Sequence, residues 1–331
     1  MPGNDPFKGH ASQIAYGVES TQGSPVAPKG HLQQLEEETE HNDPEVDYYQ
    51  ERVIGGDREL YDQSPGQTAY EGGSYPLVLV DAVPLAWAFG HEDYDGNNNE
   101  HTLRPAGVDG NSTERPRTLT IEATQYGRGG GDDFVRTFAG VGADTLTLGT
   151  DNDSRLTAEI DTVGLGVTTS TSSTDVGSYA DRSPWIFSDV TSDLSINGTP
   201  FARVTDFEFT LENNISARHY ITSNVSNKGD PYELIYGNVT YDYSATITVD
   251  DDTLYQEVRD RNALVDSSVA FTRANGDTLT INVSDLPLSE ATYPTPRGEG
   301  ADDEIIEVEP TGVPGSVEVI IEDSNRASAV F

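Results

Sequence analysis

The 331-residue chain has no cysteine, one methionine and only three lysines, Lys8, Lys29 and Lys228. Without thiols, disulfides, cysteine catalysis and cysteine-based metal centres are all excluded. Cations of any kind are scarce: 19 Lys and Arg stand against 57 Asp and Glu, for a formal net charge of −38. That balance excludes a basic face gripping nucleic-acid phosphates. Long apolar runs are missing too, because the stretch around Leu77 to Phe89 is broken by Asp81 and Pro84 and is too short to span a bilayer. The opening MPGNDPFKGHASQ shows no basic region followed by an apolar one, so no secretory signal is expected.

Catalytic signatures are equally sparse. The chain has no GxSxG, no HExxH and no P-loop lysine. GRGGGDD at Gly127 to Asp133 ends in two carboxylates that would repel a phosphate, and it reads as a hairpin turn. Asp93, Asp95 and Asn97 start with calcium-loop spacing, but Asn98 stands where Gly is required and Arg104 where a bidentate Glu is required. His10, His31, His41, His91, His101 and His219 follow no metal-ligand spacing and read as surface-loop residues. Asp250-Asp251-Asp252 suits the positive end of a helix dipole better than a metal. No catalytic, cofactor-binding or metal-ligating residue is therefore assigned, no cofactor is expected, and the chain reads as non-enzymatic. Asn-x-Ser/Thr sequons at Asn111, Asn152, Asn197, Asn214, Asn224, Asn238 and Asn282 hint at an exposed surface open to glycosylation.

What is present is a β pattern. Hydrophobic residues make up 34% of the chain in short alternating runs, enough for a core despite the acidity. The carboxylates are scattered along nearly every segment, which describes a solvated surface and not an acidic tail. Short hydrated acids in place of long lysine stems suit molar salt, where the Debye length is about 3 Å and self-repulsion is screened. A halophilic source is the expectation.

Residues 1–40 read as an N-terminal arm and 41–76 as a long loop, with the acidic run Glu36-Glu37-Glu38 and few clean alternations. Within 77–293 a main β domain is expected, with helices near 82–89 and 252–262. Asp81 is the expected N-cap of the first helix, Pro84 fits its first turn and Gly90 closes it. Its residues Val83, Leu85, Ala86, Trp87 and Phe89 leave little polar face, so it should be buried. From Arg117 onward the period is two: Leu119, Ile121 and Ala123 alternate with Thr118, Thr120 and Glu122. Further strands are expected at 144–149, 155–160, 184–190, 203–211, 234–249, 268–273 and 278–283, with two more at 304–309 and 316–322. The alternation Val239, Tyr241, Tyr243, Ala245, Ile247, Val249 predicts one buried and one wet face. The Thr/Ser-rich stretch from Val163 to Tyr179 fits either a polar hairpin or a mobile loop. Residues 294–331 read as C-terminal strands and a tail. Turn spacing predicts a mainly β chain, an antiparallel β-sandwich or barrel with two short flanking helices and long extended arms or loops.

One resemblance attaches to particular residues. Tyr16-Gly17-Val18-Glu19-Ser20-Thr21-Gln22-Gly23-Ser24-Pro25 resembles the N-terminal signature of tail tube (major tail) proteins of tailed viruses. Later features follow the same order: the helix ending Trp87-Ala88-Phe89-Gly90, the segment Pro184-Trp185-Ile186-Phe187, and Phe207 to Asn214 ending in paired asparagines. Val239 to Asn262, a long strand feeding a helix, completes the series. The resemblance covers most of the chain from Gly17 to Val283. It implies a structural virion protein of hexameric rings that stack into the tail tube, the conduit for the genome; joined to the acidic composition, the expected virus is one of a halophilic archaeon. Its implied partners are further copies of itself, a tape measure, a tail terminator and a baseplate, with double-stranded DNA passing the lumen unbound and no membrane contact. Assembly in the host cytoplasm follows, and the 41–76 loop becomes an inter-subunit contact. A different reading, a secreted or cell-surface carbohydrate-binding or adhesive β-sandwich of a halophile, draws on the sequons.

Overall fold

The computed structural model describes residues 12–33, 39–51, 62–108, 115–127, 132–151, 155–177, 183–196, 198–201, 204–221, 229–248, 265–286, 288–290, 307–308, 311–312, 314–324, 326 and 328–331. The chain starts with β1 (Ser12–Val18), β2 (Gly30–His31), β3 (Glu45–Glu51), β4 (Asp62–Ala69) and β5 (Gly73–Val78), followed by helix α1 (Val83–Phe89). Next come β6 (Gly90–Asp95), β7 (Glu100–Pro105), β8 (Leu119–Gln125), β9 (Phe134–Asp151), β10 (Thr157–Val163) and β11 (Gly166–Ser170). A 3₁₀ turn at Phe187–Asp189 precedes β12 (Val190–Ile196), β13 (Thr199–Phe201), β14 (Val204–Glu212), β15 (Ile215–Arg218), β16 (Glu233–Tyr236) and β17 (Thr240–Thr248). The last strands are β18 (Val265–Thr272), β19 (Thr278–Leu286), β20 (Leu288–Glu290), β21 (Glu307–Val308), β22 (Thr311–Gly312) and β23 (Ser316–Glu322). Every pairing among them is antiparallel.

Two sheets enclose the core. The larger runs β2-β1-β8-β9-β14-β17-β22-β20, with β10 and β5 extending from β9. The smaller runs β13-β12-β18-β19-β23-β7-β6. The large sheet curls into a half-barrel. Its hinge is β9, which pairs with β8 and β11 along its first half and with β10 and β14 along its second. Gly140 sits at the changeover with φ +65, a conformation an L side chain rarely adopts, so the strand turns there without breaking.

Helix α1 is buried along its whole length and lies against β9, β7 and β6. Trp87 donates from Nε1 to the Val141 carbonyl at 3.3 Å, so the indole is both packed and satisfied. The N-cap is Ala82 and not Asp81: Asp81 sits one residue further out and takes the Val83 amide on its carboxylate at 3.0 Å. Gly90 closes the helix in the left-handed region, as its place in the sequence predicts.

Elements and apolar clusters are now placed within the expected segments. Among the described residues the larger apolar cluster includes residues from Ile14 to Val330, and a smaller one gathers Val163, Leu165 and Leu234. Residues 12–18, read as arm, are a strand inside the large sheet. Periodicity missed it because β1 is buried on both faces and shows no alternation. Residues 45–69, read as loop, contain the β3–β4 hairpin. At 316–322, β23 is interior to the small sheet with Val317, Val319 and Ile321 buried, and the tail docks at Val330. The strand expected at 184–190 is a one-residue bridge and a 3₁₀ turn. Asp189 turns the chain by bonding back to Ile186, while the Trp185 backbone pairs with Leu79 and Leu156. The expected run 234–249 divides into β16 and β17 at Gly237-Asn238-Val239. The helix expected at 252–262 lies outside the described residues. No described helix is long and apolar enough to cross a membrane.

Candidate functional surfaces

The outer face of the large sheet is one candidate surface. Across β5, β10, β9, β14 and β17 the core side carries Leu77, Ala158, Leu148, Phe209 and Tyr243. Register then puts their neighbours outside in rows: Pro76, Glu159, Thr147, Thr210, Asp242 in one, and Ser74, Asp161, Thr145, Glu212, Thr240 in the next. Glu208 and Asp206 continue the acidic side along β14. Among the described residues, no Lys or Arg occupies this face of the five strands. Hydroxyls and acids bond to one another across it, Ser74 Oγ to Glu159 at 3.1 Å and Thr240 Oγ1 to Glu212 at 2.9 Å. The outer face of the small sheet differs, since Arg104 there pairs with Glu318 and lies 3.6 Å from Asp93.

One acid at the rim of that face responds to its neighbours. Asp144 sits where the β9–β10 register shifts and accepts the Ile215 amide at 2.6 Å. Burial pushes its pKa up, the Ile215 hydrogen bond opposes this, and the nearby Glu212, Asp161 and Glu71 carboxylates push it up further; the net shift is upward.

The N-terminal signature makes a buried acid lock. Glu19 is 2% exposed and, among the described residues, is in no ion pair; it accepts Thr118 Oγ1 at 2.6 Å, Thr120 Oγ1 and the Gly23 amide at 2.8 Å, and the Gly140 amide at 2.9 Å. This explains the burial of Thr118, just before β8, and of Thr120 within it: both hydroxyls serve the carboxylate. Gly17 belongs to the same device, because a Cβ there would lie 2.8 Å from Val26 Cγ2 and 2.9 Å from the Ala27 carbonyl. On β8 itself, Glu122 holds the Thr/Ser-rich segment by accepting the Thr174 amide at 2.7 Å and its hydroxyl at 2.8 Å. Of that segment, 166–170 is β11.

The paired asparagines also have distinct tasks. Asn213 is buried and donates to the Ala88 and Ala143 carbonyls, both at 2.9 Å, which joins α1 to β9. Asn214 adopts φ 51 and starts the turn into β15.

Of the histidines read as surface residues, His101 is buried and His41 half-buried. His101 is fully buried, with Nδ1 2.6 Å from Glu92. Glu92 also accepts the amides of Val330 and Phe331 at 2.8 Å and 3.0 Å. Burial by itself would raise the Glu92 pKa, but the hydrogen bonds from His101, Val330 and Phe331 outweigh it and the carboxyl is held below its usual range. His41 stacks on Phe138 with centroids 5.4 Å apart, beside the Arg136–Asp43 ion pair. Burial, helped by the Arg136 charge and opposed by Asp43, lowers its pKa to about 4. Alternation along β7 is a sequence signal for the burial of His101, whereas His41, in the stretch before β3, carries none.

The remaining motifs resolve into turns. Gly127 and Asp133 flank the β8–β9 turn, with the Gly127 amide on Asp133 at 3.0 Å. Asp95 caps the β6–β7 turn through the Asn97 amide at 2.9 Å. Of the sequons, Asn214, Asn238 and Asn282 are described, and Asn282 lies within β19 with its amide oxygen on Ser268 Oγ at 2.7 Å. Asp250-Asp251-Asp252 lies outside the described residues. A family model described as phage tail tube protein matches residues 9–318. No curated protein matches the chain.

Proposed function

The chain belongs to the phage tail tube protein family, a structural component of the virion, and from that premise we propose that six copies close into a ring, that rings stack into a tube, and that the tube conducts the genome from capsid to cell. The observation that carries this reading is the cation-free outer face of β5, β10, β9, β14 and β17, which we assign to the channel wall. A duplex carries a negative charge about every 1.7 Å of its axis. A wall of carboxylates and hydroxyls repels and hydrates it, offers no counter-charge to release, and lets it slide. Closing a ring gives each sheet edge a partner, which removes the hazard of long open strands.

Composition supports a halophilic host, because a ring this acidic needs dense counter-ions to hold together. Assembly in the host cytoplasm, and contacts with a tape measure, a tail terminator and a baseplate, complete the proposal. The 41–76 segment, with its β3–β4 hairpin, serves as an inter-subunit contact. Negative-stain microscopy of the purified chain in molar salt should show rings or tubes with a central channel. A monodisperse monomer at every salt and protein concentration overturns the reading. The wall assignment has its own test, made simple by the absence of cysteine. Asp242→Cys should react with small and polymer-linked maleimides in the dispersed chain, but only with the small reagent once tubes form.

A further inference from the structure

One segment crosses the large sheet instead of joining it. After β11, residues 171–177 run back over the side of the sheet that faces away from the core and meet four strands in turn. Ser173 Oγ donates to Asp133, just before β9, at 3.3 Å, and Thr174 donates its amide and its hydroxyl to Glu122 on β8. Gln13 Nε2 on β1 donates to the Thr174 carbonyl at 3.4 Å, and the Gly177 carbonyl lies 3.1 Å from His31 Nε2 on β2, the margin of that sheet. Four strands span about 14 Å from first to last, a distance that five extended residues cover. The segment is a strap drawn from β9 to the edge.

The side it covers has the pattern of a wet face. Gln13, Glu122 and Thr124 are buried there, and Thr124 Oγ1 has no hydrogen-bond partner among the described residues. In sequence they alternate with Ile14, Ile121 and Ala123, which face the core. The strap has no buried residue of its own: Thr171, Ser172, Asp175 and Gly177 are exposed, and Ser173, Thr174 and Val176 half-buried. Its hold centres on the two bonds from Thr174 to Glu122. The 19–26 turn on the same side is fixed differently, by four bonds to Glu19 and a close approach at Gly17. A cover with few buried apolar contacts is the kind that opens locally at low cost.

We propose that residues 171–177 are an autoinhibitory strap, which caps the β1–β2 margin of the large sheet in the dispersed chain and lifts when that margin meets a neighbouring subunit. The inference rests on the tube reading above and adds regulation to it. Ring closure brings sheet edges together, and a peptide lying over the last two strands occupies the space a neighbour needs. Unguarded pairing is the hazard of any edge, and a self-cover restrains it until a growing tube end supplies the partner.

The test uses the full chain in molar salt and exploits its lack of cysteine. Gln13→Cys/Asp175→Cys is bridged across the strap by a short bismaleimide with a reducible spacer. The bridged chain should stay dispersed and form tubes once the spacer is reduced, while each single variant capped with a simple maleimide assembles as wild type does. Bridged chain that forms tubes at the wild-type rate overturns this inference and leaves the tube reading intact. Wild-type chain that forms neither rings nor tubes overturns the tube reading, and this inference with it. Glu122→Gln is the second variant: in the dispersed chain it should speed hydrogen exchange at the Thr174 amide by about tenfold, leave the Gly23 and Gly140 amides unchanged, and shorten the lag before tubes appear. Unaltered exchange at Thr174, or faster exchange with an unchanged lag, overturns the strap.

Discussion

Glu19 is buried and accepts four hydrogen bonds from hydroxyl and amide dipoles, and among the described residues no ion pair joins it. Glu19→Gln keeps the shape but presents an NH₂ to donors that need an acceptor. Each buried donor left unmet costs about 1–3 kcal/mol, so the variant should lose roughly 3 kcal/mol or more, read as a shifted denaturant midpoint in molar salt. An unchanged midpoint would show that the signature acid does not hold the turn. His41 is the second residue-scale case. Its folded pKa of about 4 lies below that of an unfolded histidine, so the fold favours the neutral ring. The associated stability is complete above about pH 6.5 and drains as pH falls toward 4, by on the order of 3 kcal/mol. His41→Phe, which retains the stack on Phe138, should flatten the melting-temperature profile between those limits; parallel profiles would refute the assignment.

At the scale of elements, the docking of residues 330–331 onto β6 depends on Glu92, which takes both of their amides along with His101. Because its folded pKa is lowered, this contribution is present above the ordinary carboxylate pKa and is lost as pH falls through the folded value. Glu92→Gln should cost about 2–4 kcal/mol at neutral pH, speed hydrogen exchange at the Val330 and Phe331 amides, and make the acid limb of stability less steep. Unaltered exchange at those two amides would sink the idea. Strands with one wet face were legible in sequence, as Tyr241, Tyr243, Ala245 and Ile247 demonstrate by all being buried. Strand β1 was not, since Gln13 is covered like its apolar neighbours and period two disappears. The turn at Phe187–Asp189 escaped for the opposite reason: its apolar residues mimic a strand, and only the Asp189 bonds to Ile186 reveal the reversal.

For the whole molecule, the dominant quantity is the charge of −38 on each copy. Between 1 M and 0.1 M salt the Debye length grows from about 3 Å to about 10 Å, so in the proposed ring acids on adjoining subunits would begin to repel one another. Dialysis into dilute buffer should therefore dissolve tubes and lower the melting temperature, followed by sedimentation and thermal scans; tubes equally stable at low salt would contradict the electrostatic argument. Composition by itself determined much: no thiol chemistry, no basic nucleic-acid grip, a mainly β chain, and a surface made of scattered acid, because these follow from residue counts and from alternation along single strands. The tertiary structure alone decided where the charge matters. Glu159, Thr147, Thr210 and Asp242 lie far apart in sequence and form one row only because antiparallel register places them side by side. The same holds for Asp133, Glu122, Gln13 and His31, which meet one strap because β9, β8, β1 and β2 are neighbours in the same sheet, a relation between elements that no local pattern encodes.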